Sequence, residues 1–402
     1  MSKYKNFKIK TGGMDMLLGY SEEQLKEKKG YATAKEINQQ PRLWRELFNI
    51  LLNQKREITE FLNPIFQLKD LKIILTGAGT SAFVGYSSEG YLRRMLGLDV
   101  EAIDTTDIVA SPQNFFFKDR PTLLISHARS GDSPESLATI ELAEKIIKDV
   151  YFLNITCNKD GKMAKSTVGK KNSLNIFMPE ESNDEGFAMT SSFTCMLLTD
   201  MMLPHIEEIE SKKDLFEKLA KEAERIIEED ARLVEEISKN DYDRLIYLGS
   251  GNLKGCAAEA ALKSLELSRG EVNTNFNTPL GFRHGPKSVI NDKTLLGFFV
   301  SNNPYTQKYD LDLIKEIANE AGQRKLMAFL PEDLQIDGID YIFKLRQDFT
   351  NVEEAFLTPL YIIYAQMLAF YKSLNLGITP DNPNPEGRVN RVVKGVIIYE
   401  YV

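Results

Sequence analysis

Hydrophobic positions in the first half of the chain fall into short apolar runs, separated by longer segments in which apolar residues recur at helical spacing. The runs at residues 72–75, 100–103, 123–125 and 151–155 have the length of strands. Such runs are typical of a parallel sheet that is covered on both faces. Their alternation with helical segments predicts an α/β protein with a doubly wound, flavodoxin-like parallel sheet between two layers of helices.

The same pattern starts again after residue 240. Apolar runs at residues 245–248, 294–300 and 325–329 again alternate with helical spacing. Each half has a glycine turn after its first predicted strand, at Gly77 and at Gly249, which is a weak internal repeat. We therefore expect two copies of one unit, divided as follows: an N-terminal arm at 1–32, a first unit at 33–206, a second unit at 207–376 that starts with a charged connecting helix at 207–240, and a C-terminal tail at 377–402.

Two helices are predicted between the arm and the first strand. Thr33 and Glu36 have the spacing of a capping box, so the first helix is expected to begin at Thr33. Pro41 interrupts the apolar pattern and is expected to divide the segment in two. Trp44, the only tryptophan, is expected to pack in the core or at an interface.

Composition narrows the class of protein. The 402 residues carry a net charge of −8, which gives no support to a nucleic-acid or anionic membrane surface. No run of about 18 apolar residues is present, so no membrane span is expected. The three cysteines have no CxxC spacing, so neither a disulfide framework nor a metal site is indicated. A cytoplasmic protein without a metal is predicted.

A polar loop after the predicted strand at 123–125 is the first candidate site. Ser130, Gly131, Asp132 and Ser133 precede Pro134, and Ser133 suits the N-cap of a helix that starts at that proline. Serine hydroxyls together with free amides at a helix start suit a phosphate monoester, without a metal. The alternative is an ordinary serine-capped helix.

A second loop follows the strand at 72–75. The spacing of Gly77, Gly79 and Ala82 formally matches a dinucleotide fingerprint, with acidic residues about 20 positions further on. In the competing interpretation, Thr80 and Ser81 bind a phosphate themselves. Loops that follow neighbouring strands meet at the switch point of a doubly wound sheet, so this loop and the 130–133 loop are expected to converge.

A third cluster of hydroxyls starts the predicted helix at 187–203. Thr190, Ser191 and Ser192 are consecutive there, and they could close the pocket that the two loops form.

The second half offers acid–base chemistry. Glu259, Lys263 and Glu266 fall on one face of a predicted helix. A solvent-exposed, salt-bridged face is one interpretation; the small apolar neighbours favour a buried helix whose carboxylates have partners or a function. His284 lies in a loop, whereas structural roles are expected for His127 and His205. A carboxylate and a neutral imidazole suit proton transfer between adjacent sugar carbons and ring opening.

Taken together, these segments resemble the sugar isomerase (SIS) domain superfamily, in two copies. The resemblance is greatest to the galactosamine-6-phosphate deaminase/isomerase family, also called tagatose-6-phosphate ketose/aldose isomerase, and covers the chain from about residue 33 to its end. The family is also related to the isomerase half of glucosamine-6-phosphate synthase, but this chain has no glutaminase domain. The strings that carry it are EINQQP, LTGAGTSAF, ARSGDSPES, FAMTSSFT, ALKSLELSRGEV, FRHGP and DNPNPEGRVNRVV with the KGV that follows.

The resemblance implies roles for single residues. Glu266 corresponds to the proton-shuttling glutamate and Glu259 to its companion on the helix face. His284 corresponds to the ring-opening histidine, which in related enzymes reaches the pocket of a neighbouring subunit. Lys394 would correspond to the C-terminal-tail lysine of the synthase, although its flanking residues differ. The sugar- and phosphate-binding loops correspond to Ser81, Arg129, Ser130 and Ser133.

The expected function is deamination and isomerisation of a phosphorylated amino sugar, without a cofactor, in a homodimer or larger homo-oligomer with a shared active site. Ala128 stands where the synthase has a serine, and the segment between Glu266 and His284 is longer than in the synthase. The resemblance therefore does not identify which sugar is the substrate. The alternatives are a deglycase of phosphorylated amine–sugar adducts, a non-catalytic sugar-phosphate sensor, and a dinucleotide-binding enzyme.

Overall fold

The computed structural model describes residues 16–393 and 395–401. It contains two five-stranded parallel sheets and a two-stranded hairpin. The strands are β1 (Met16–Leu17), β2 (Tyr20–Ser21), β3 (Lys72–Thr76), β4 (Asp99–Ala102), β5 (Thr122–Ala128), β6 (Val150–Thr156), β7 (Ser173–Phe177), β8 (Arg244–Gly249), β9 (Asn273–Asn277), β10 (Thr294–Phe299), β11 (Lys325–Leu330) and β12 (Tyr341–Lys344). The helices are α1 (Glu22–Glu27), α2 (Tyr31–Asn38), α3 (Gln40–Phe66), α4 (Thr80–Leu96), α5 (Thr105–Ala110), α6 (Pro134–Ile146), α7 (Lys162–Thr167), α8 (Ser191–Met202), α9 (Lys213–Arg225), α10 (Ala231–Ser238), α11 (Leu253–Leu267), α12 (Pro279–Phe282), α13 (Pro304–Ala318) and α14 (Thr358–Asn375).

The two large sheets have the same topology. The first has the order β4-β3-β5-β6-β7, and the second, read from its other edge, has the order β9-β8-β10-β11-β12. In each sheet the chain starts next to one edge, moves to that edge, and then crosses back to the other side, which makes a switch point between β3 and β5 and between β8 and β10. The predicted α/β class and the two-fold repeat are confirmed.

The glycine turns of the two units also match in detail. A Cβ on Gly77 would lie 2.5 Å from the backbone of Ser81, and a Cβ on Gly249 would lie 2.3 Å from the Leu253 carbonyl oxygen. The next glycines, Gly79 and Gly251, have φ values of +57° and +56°. Only glycine gives both the close approach and the left-handed turn without strain, so each helix starts directly above the end of its strand.

The two units pack against each other through α4 and α11. Gly255 on α11 sits against α4 so closely that a Cβ there would lie 2.5 Å from the Ser87 backbone nitrogen. Behind this contact, α14 is buried along almost its whole length and contacts α2 and α8 as well as α10 and α11. The core is therefore continuous between the halves.

Several local predictions are wrong. Thr33 does not cap a helix: α2 begins after Gly30, and Thr33 lies inside it. By contrast, the segment predicted as a connecting helix is helical through most of its length: after a 3₁₀ helix at Leu203–Lys212, α9, a π-helical turn at Ile226–Asp230 and α10 form one continuous run to Ser238. Strand β9 was not predicted.

Other local predictions are confirmed. Pro41 occupies the first turn of α3, and the Trp44 indole is fully buried and donates to Thr194. The boundary between the two units is not marked by a break in secondary structure, since the 3₁₀ helix at Leu203–Lys212 runs across residue 206. The division of the chain at that residue therefore stays a prediction. Among the described residues, no helix is long and apolar enough to cross a membrane.

Candidate active site

The two serine-containing loops follow the neighbouring strands β3 and β5, at the switch point of the first sheet. Ser133 is the N-cap of α6 and accepts a hydrogen bond from the Ser136 amide at 3.2 Å, as its position before Pro134 predicts. Ser130 accepts from the Asp132 amide, and Gly131 has a φ of +66°. The starts of α4 and α6 thus border one crevice, and phosphate binding there by Ser81, Ser130, Gly131 and Ser133 stays a prediction.

The acidic face of α11 is buried rather than exposed. The Lys263 ammonium lies 3.5 Å from the Glu259 carboxylate and also pairs with Glu266. Glu259 and Lys263 are almost completely enclosed, whereas 24% of the Glu266 side chain is exposed. The Thr80 hydroxyl donates to Glu259 at 3.3 Å, so the start of α4 borders this face. Glu266 is therefore the member of the triad that a ligand can reach.

Burial sets the charges of this triad. Desolvation raises the pKa of Glu259 to about 8, and the charge of Glu266 acts in the same direction, while Lys263 opposes them. Burial disfavours the charged form of Lys263, but the two carboxylates outweigh it and raise the pKa of that ammonium. At neutral pH Glu259 is therefore largely protonated and Lys263 is an ammonium, which avoids an uncompensated buried carboxylate at Glu259.

Arg129 follows β5 and is buried beside the crevice. Its guanidinium donates to the carbonyls of Gly186 and Phe187, both at 3.2 Å, and to the Arg391 carbonyl at 2.8 Å. Burial lowers its pKa, while the charges of nearby carboxylates, Glu266 among them, act in the opposite direction. The buried Nε of Arg129 has no partner among the described residues. Because buried donors are normally satisfied, Arg129 has one donor that the described part of the chain leaves unused.

The loop that holds Arg129 is fixed from its other side by Glu36. One carboxylate oxygen of Glu36 accepts from the amides of Glu185 and Gly186, at 2.6 and 2.9 Å. Burial and the charge of Asp184 raise the pKa of Glu36 to about 8. Helix α2 is therefore connected to Arg129 through three consecutive residues, 185–187.

Within the described residues, Thr190 and His284 make no hydrogen bond to the triad on α11. Thr190 is fully buried, and its amide donates to Asp184 at 2.8 Å, so a sugar contact at Thr190 stays a prediction. His284 is exposed after α12. Lys394 lies outside the described residues. The buried pair of His127 and Asp200, 2.9 Å apart, agrees with a structural role for that histidine.

Sequence reasoning missed part of the site. Lys263 was placed on the correct face, but its spacing alone gave it no role. Glu36 was interpreted as a capping residue, although it lies in the EINQQP string. Asp184 binds the start of α8 through Ser192, and Arg391 donates to the Asp184 carbonyl at 3.0 Å. Nothing in the pattern of these residue types indicated that they would surround one loop.

Comparison with known proteins agrees with this geometry. Residues 66–205 match the family model described as SIS domain. The chain is 41% identical over 393 residues to the D-galactosamine-6-phosphate deaminase AgaS of Shewanella sp. (strain ANA-3), covering 96% of this chain and 97% of that protein. The same deaminase of Escherichia coli O157:H7 is 40% identical over 376 residues, covering 92% and 96%.

Solved structures give the same result. The tagatose-6-phosphate ketose/aldose isomerase of Escherichia coli superposes with a TM-score of 0.86 at 36% identity, covering 92% of this chain and 97% of that one. The C-terminal domain of glucosamine-fructose-6-phosphate aminotransferase from Francisella tularensis has a TM-score of 0.71 at 18% identity, covering 88% and 98%, and shares the fold alone. By sequence and by structure, the chain belongs to the galactosamine-6-phosphate deaminase/tagatose-6-phosphate isomerase family of SIS-domain proteins.

Proposed function

We propose that this chain converts D-galactosamine-6-phosphate and water to tagatose-6-phosphate and ammonium. The observation that carries the proposal is the position of Glu266. It is the one partly exposed member of the buried triad, and Thr80 connects that triad to the start of α4. The substrate of the relatives supports the galacto configuration.

The 6-phosphate would lie in the crevice at the switch point of the first sheet. Two helices start there, and their free amides and the hydroxyls of Ser81, Ser130 and Ser133 provide donors without a metal. The buried Nε of Arg129 supports a polar sugar group beside the same strand end. The Thr80 hydroxyl donates to Glu259, so Thr80 would influence the sugar indirectly, through the residues next to it.

Glu266 would carry the proton. Its carboxylate removes the proton from carbon 2 of the open-chain amino aldose and returns it to carbon 1. The aldehyde oxygen gains a proton and the ammonium group on carbon 2 loses one, which leaves an imine at carbon 2. Water then adds to that imine, and the adduct breaks down to the ketose phosphate and ammonium. Lys263 pairs with Glu266 and holds its carboxylate in place.

Ring opening would use His284 of a second subunit. In one chain this imidazole is exposed and belongs to a loop outside the buried triad. A homodimer or larger homo-oligomer with a shared site would bring the two together. The division into two SIS units at residue 206 and a cytoplasmic location are part of the same proposal.

The test is an incubation of the purified protein with galactosamine-6-phosphate and, separately, with glucosamine-6-phosphate, without cofactor or glutamine. Ammonium and ketose phosphate are measured together. Equimolar release from galactosamine-6-phosphate is expected. Ketose phosphate without ammonium would contradict deamination, and no reaction with either sugar would favour the deglycase or the sensor.

A further inference from the structure

The second unit repeats the crevice of the first. Strands β8 and β10 are neighbours, as β3 and β5 are, and the loops at 250–252 and 301–303 follow them at the same edge of the sheet. Helix α11 starts after the first of these loops, and α13 starts after the second, with Asn303 as its N-cap. Hydroxyls and helix-start amides, the donors that suit a phosphate, are therefore present again.

In the second unit, carboxylates of the chain already occupy these donors. The Asn252 amide donates to one oxygen of Glu354 at 3.2 Å, and the Ser301 hydroxyl donates to the other oxygen. The Ser250 hydroxyl and the Ser301 amide donate to the two oxygens of Asp310, at 2.6 and 3.0 Å. Every donor of this set therefore has an internal acceptor.

The first crevice differs in this respect. Within residues 16–393 and 395–401, no aspartate or glutamate accepts a hydrogen bond from the hydroxyl of Ser81, Ser130 or Ser133. The loop at 250–252 also packs closely against the Glu354 carboxylate, since a Cβ on Gly251 would lie 2.7 Å from one of its oxygens. The two crevices thus share a backbone plan. In the first, the Thr80 hydroxyl donates to Glu259, but the serine hydroxyls have no carboxylate acceptor among the described residues. In the second, both serine hydroxyls donate to a carboxylate of the chain.

We propose that Glu354 is an internal ligand that takes the place of a phosphate in the second unit and closes that crevice to phosphate monoesters. The comparison of the two crevices rests on the proposed phosphate site in the first unit. Asp310 adds a second negative charge at the same place, and burial raises its pKa to about 6. A dianionic phosphate would meet both charges, and the four donors named above would already have acceptors.

The internal ligand also has a mechanical consequence. Asn252, which Glu354 binds, accepts from the Tyr91 amide of α4 at 3.1 Å, so Glu354 fixes the start of α11 against the first unit. Helix α11 carries Glu259 and Glu266. The crevice that Glu354 fills therefore positions the helix that carries the acid–base residues of the first crevice.

The experiment replaces Glu354 by alanine and adds acetate, which has the atoms that the substitution removes. Thermal unfolding is measured in acetate and in chloride at equal ionic strength. In chloride the melting temperature of Glu354→Ala is expected to fall by about 5 °C, because charged acceptors of buried donors are lost. Acetate is expected to restore at least half of that loss.

Two further variants serve as controls. Glu354→Gln keeps the crevice filled, so it should fold and should not respond to acetate. Glu353→Ala removes the neighbouring glutamate, which makes an exposed ion pair with Arg94, and should behave like the wild type. An equal acetate response in these variants, or an unchanged melting temperature of Glu354→Ala, would overturn the proposal.

Calorimetric titration of the wild type with inorganic phosphate gives an independent test. At most one phosphate per chain is expected, and two would overturn the closure of the second crevice. No phosphate at all would be compatible with closure and would count against the proposed function of the first crevice. The two proposals can thus fail separately.

Discussion

The hydroxyl of Thr80 donates to the carboxyl group of Glu259, 3.3 Å away, although the two residues are 179 positions apart in the chain. Thr80 is the first residue of α4 in the first unit, and Glu259 lies on α11 of the second unit. The bond joins the proposed phosphate crevice to the acid–base triad. A change at either end is therefore expected to affect catalysis more than folding.

Replacement of Thr80 by valine keeps its shape and removes the donor. Loss of one hydrogen bond to a buried carboxyl is expected to lower kcat/KM for galactosamine-6-phosphate by roughly 2–10-fold. Thr80→Ser keeps the hydroxyl and should retain wild-type activity. Equal kinetics for the valine and serine variants would show that this bond has no part in catalysis.

Glu266→Gln removes the base and keeps the shape of the side chain. Turnover is expected to fall about 10²–10⁴-fold, since a positioned general base contributes that much. Binding of the sugar phosphate, measured by calorimetry, should change little. Glu271→Gln, at an exposed glutamate just after the same helix, is the matched control and should be fully active. Normal turnover in Glu266→Gln would sink the assignment of the base.

A shared site predicts complementation between two inactive proteins. Chains with Glu266→Gln and chains with His284→Ala are unfolded together, mixed and refolded. If each site takes Glu266 from one chain and His284 from another, a mixed dimer has one intact site, and about a quarter of wild-type activity returns. A mixture as inactive as its two parents would place both residues in the same chain.

Glu36 predicts a particular dependence of stability on pH. Its pKa is raised to about 8, chiefly by burial and by the charge of Asp184, with a smaller effect of Asp381. A group with a raised pKa stabilises the fold below its unfolded value, and that stability is lost as the pH rises through the folded value. The wild type therefore loses stability from this group between about pH 5 and about pH 8, by an amount on the order of 4 kcal/mol.

Glu36→Gln has no proton to lose, so its melting temperature relative to the wild type should rise across that range of pH. Glu259 titrates in the same range in both proteins and cancels in the difference. Glu36→Ala leaves the amides of Glu185 and Gly186 without an acceptor and should be less stable at every pH. Parallel pH curves for the wild type and Glu36→Gln would contradict the raised pKa.

Gly255→Ala tests the contact between α4 and α11. The new Cβ would lie 2.5 Å from the Ser87 backbone nitrogen, so the two helices must separate. We expect a loss of about 1–3 kcal/mol in the free energy of unfolding, as for overpacking elsewhere. Activity should fall as well, because Glu259 moves away from Thr80. Lys254→Ala, at the exposed position just before Gly255 on α11, is the control and should leave stability and activity near the wild-type values.

Periodicity predicted the fold well where strands are buried on both faces. Strand β9 was missed because its sequence, NTNFN, is polar and lies at the edge of the second sheet, where burial does not select apolar residues. The capping box at Thr33 failed for a related reason. Thr33 and Glu36 have the spacing of a cap, but tertiary partners use them instead: Asp381 accepts from Thr33, and Glu36 accepts from the 185–187 loop.

The candidate site could be predicted as far as it depends on loops that follow neighbouring strands. The positions of the Thr80 and Ser130 loops followed from the order of strands, and the shared face of Glu259, Lys263 and Glu266 followed from helical spacing. The clamp on Arg129 could not be predicted, because Gly186, Phe187 and Arg391 hold it through backbone carbonyls. Such groups are present at every residue and leave no signature in the sequence.

The burial of α14 has a consequence for synthesis of the chain on the ribosome. Gln40, near the start of the first unit, donates to Gln366 at 2.8 Å, and Tyr371 donates to the Leu18 carbonyl at 2.9 Å. These partners leave the exit tunnel only after nearly the whole chain has been made. The N-terminal unit therefore cannot complete its core during translation, and the nascent protein exposes an apolar face until α14 has been made. Chaperones recognise such a state. A premature stop codon before α14 would make it permanent.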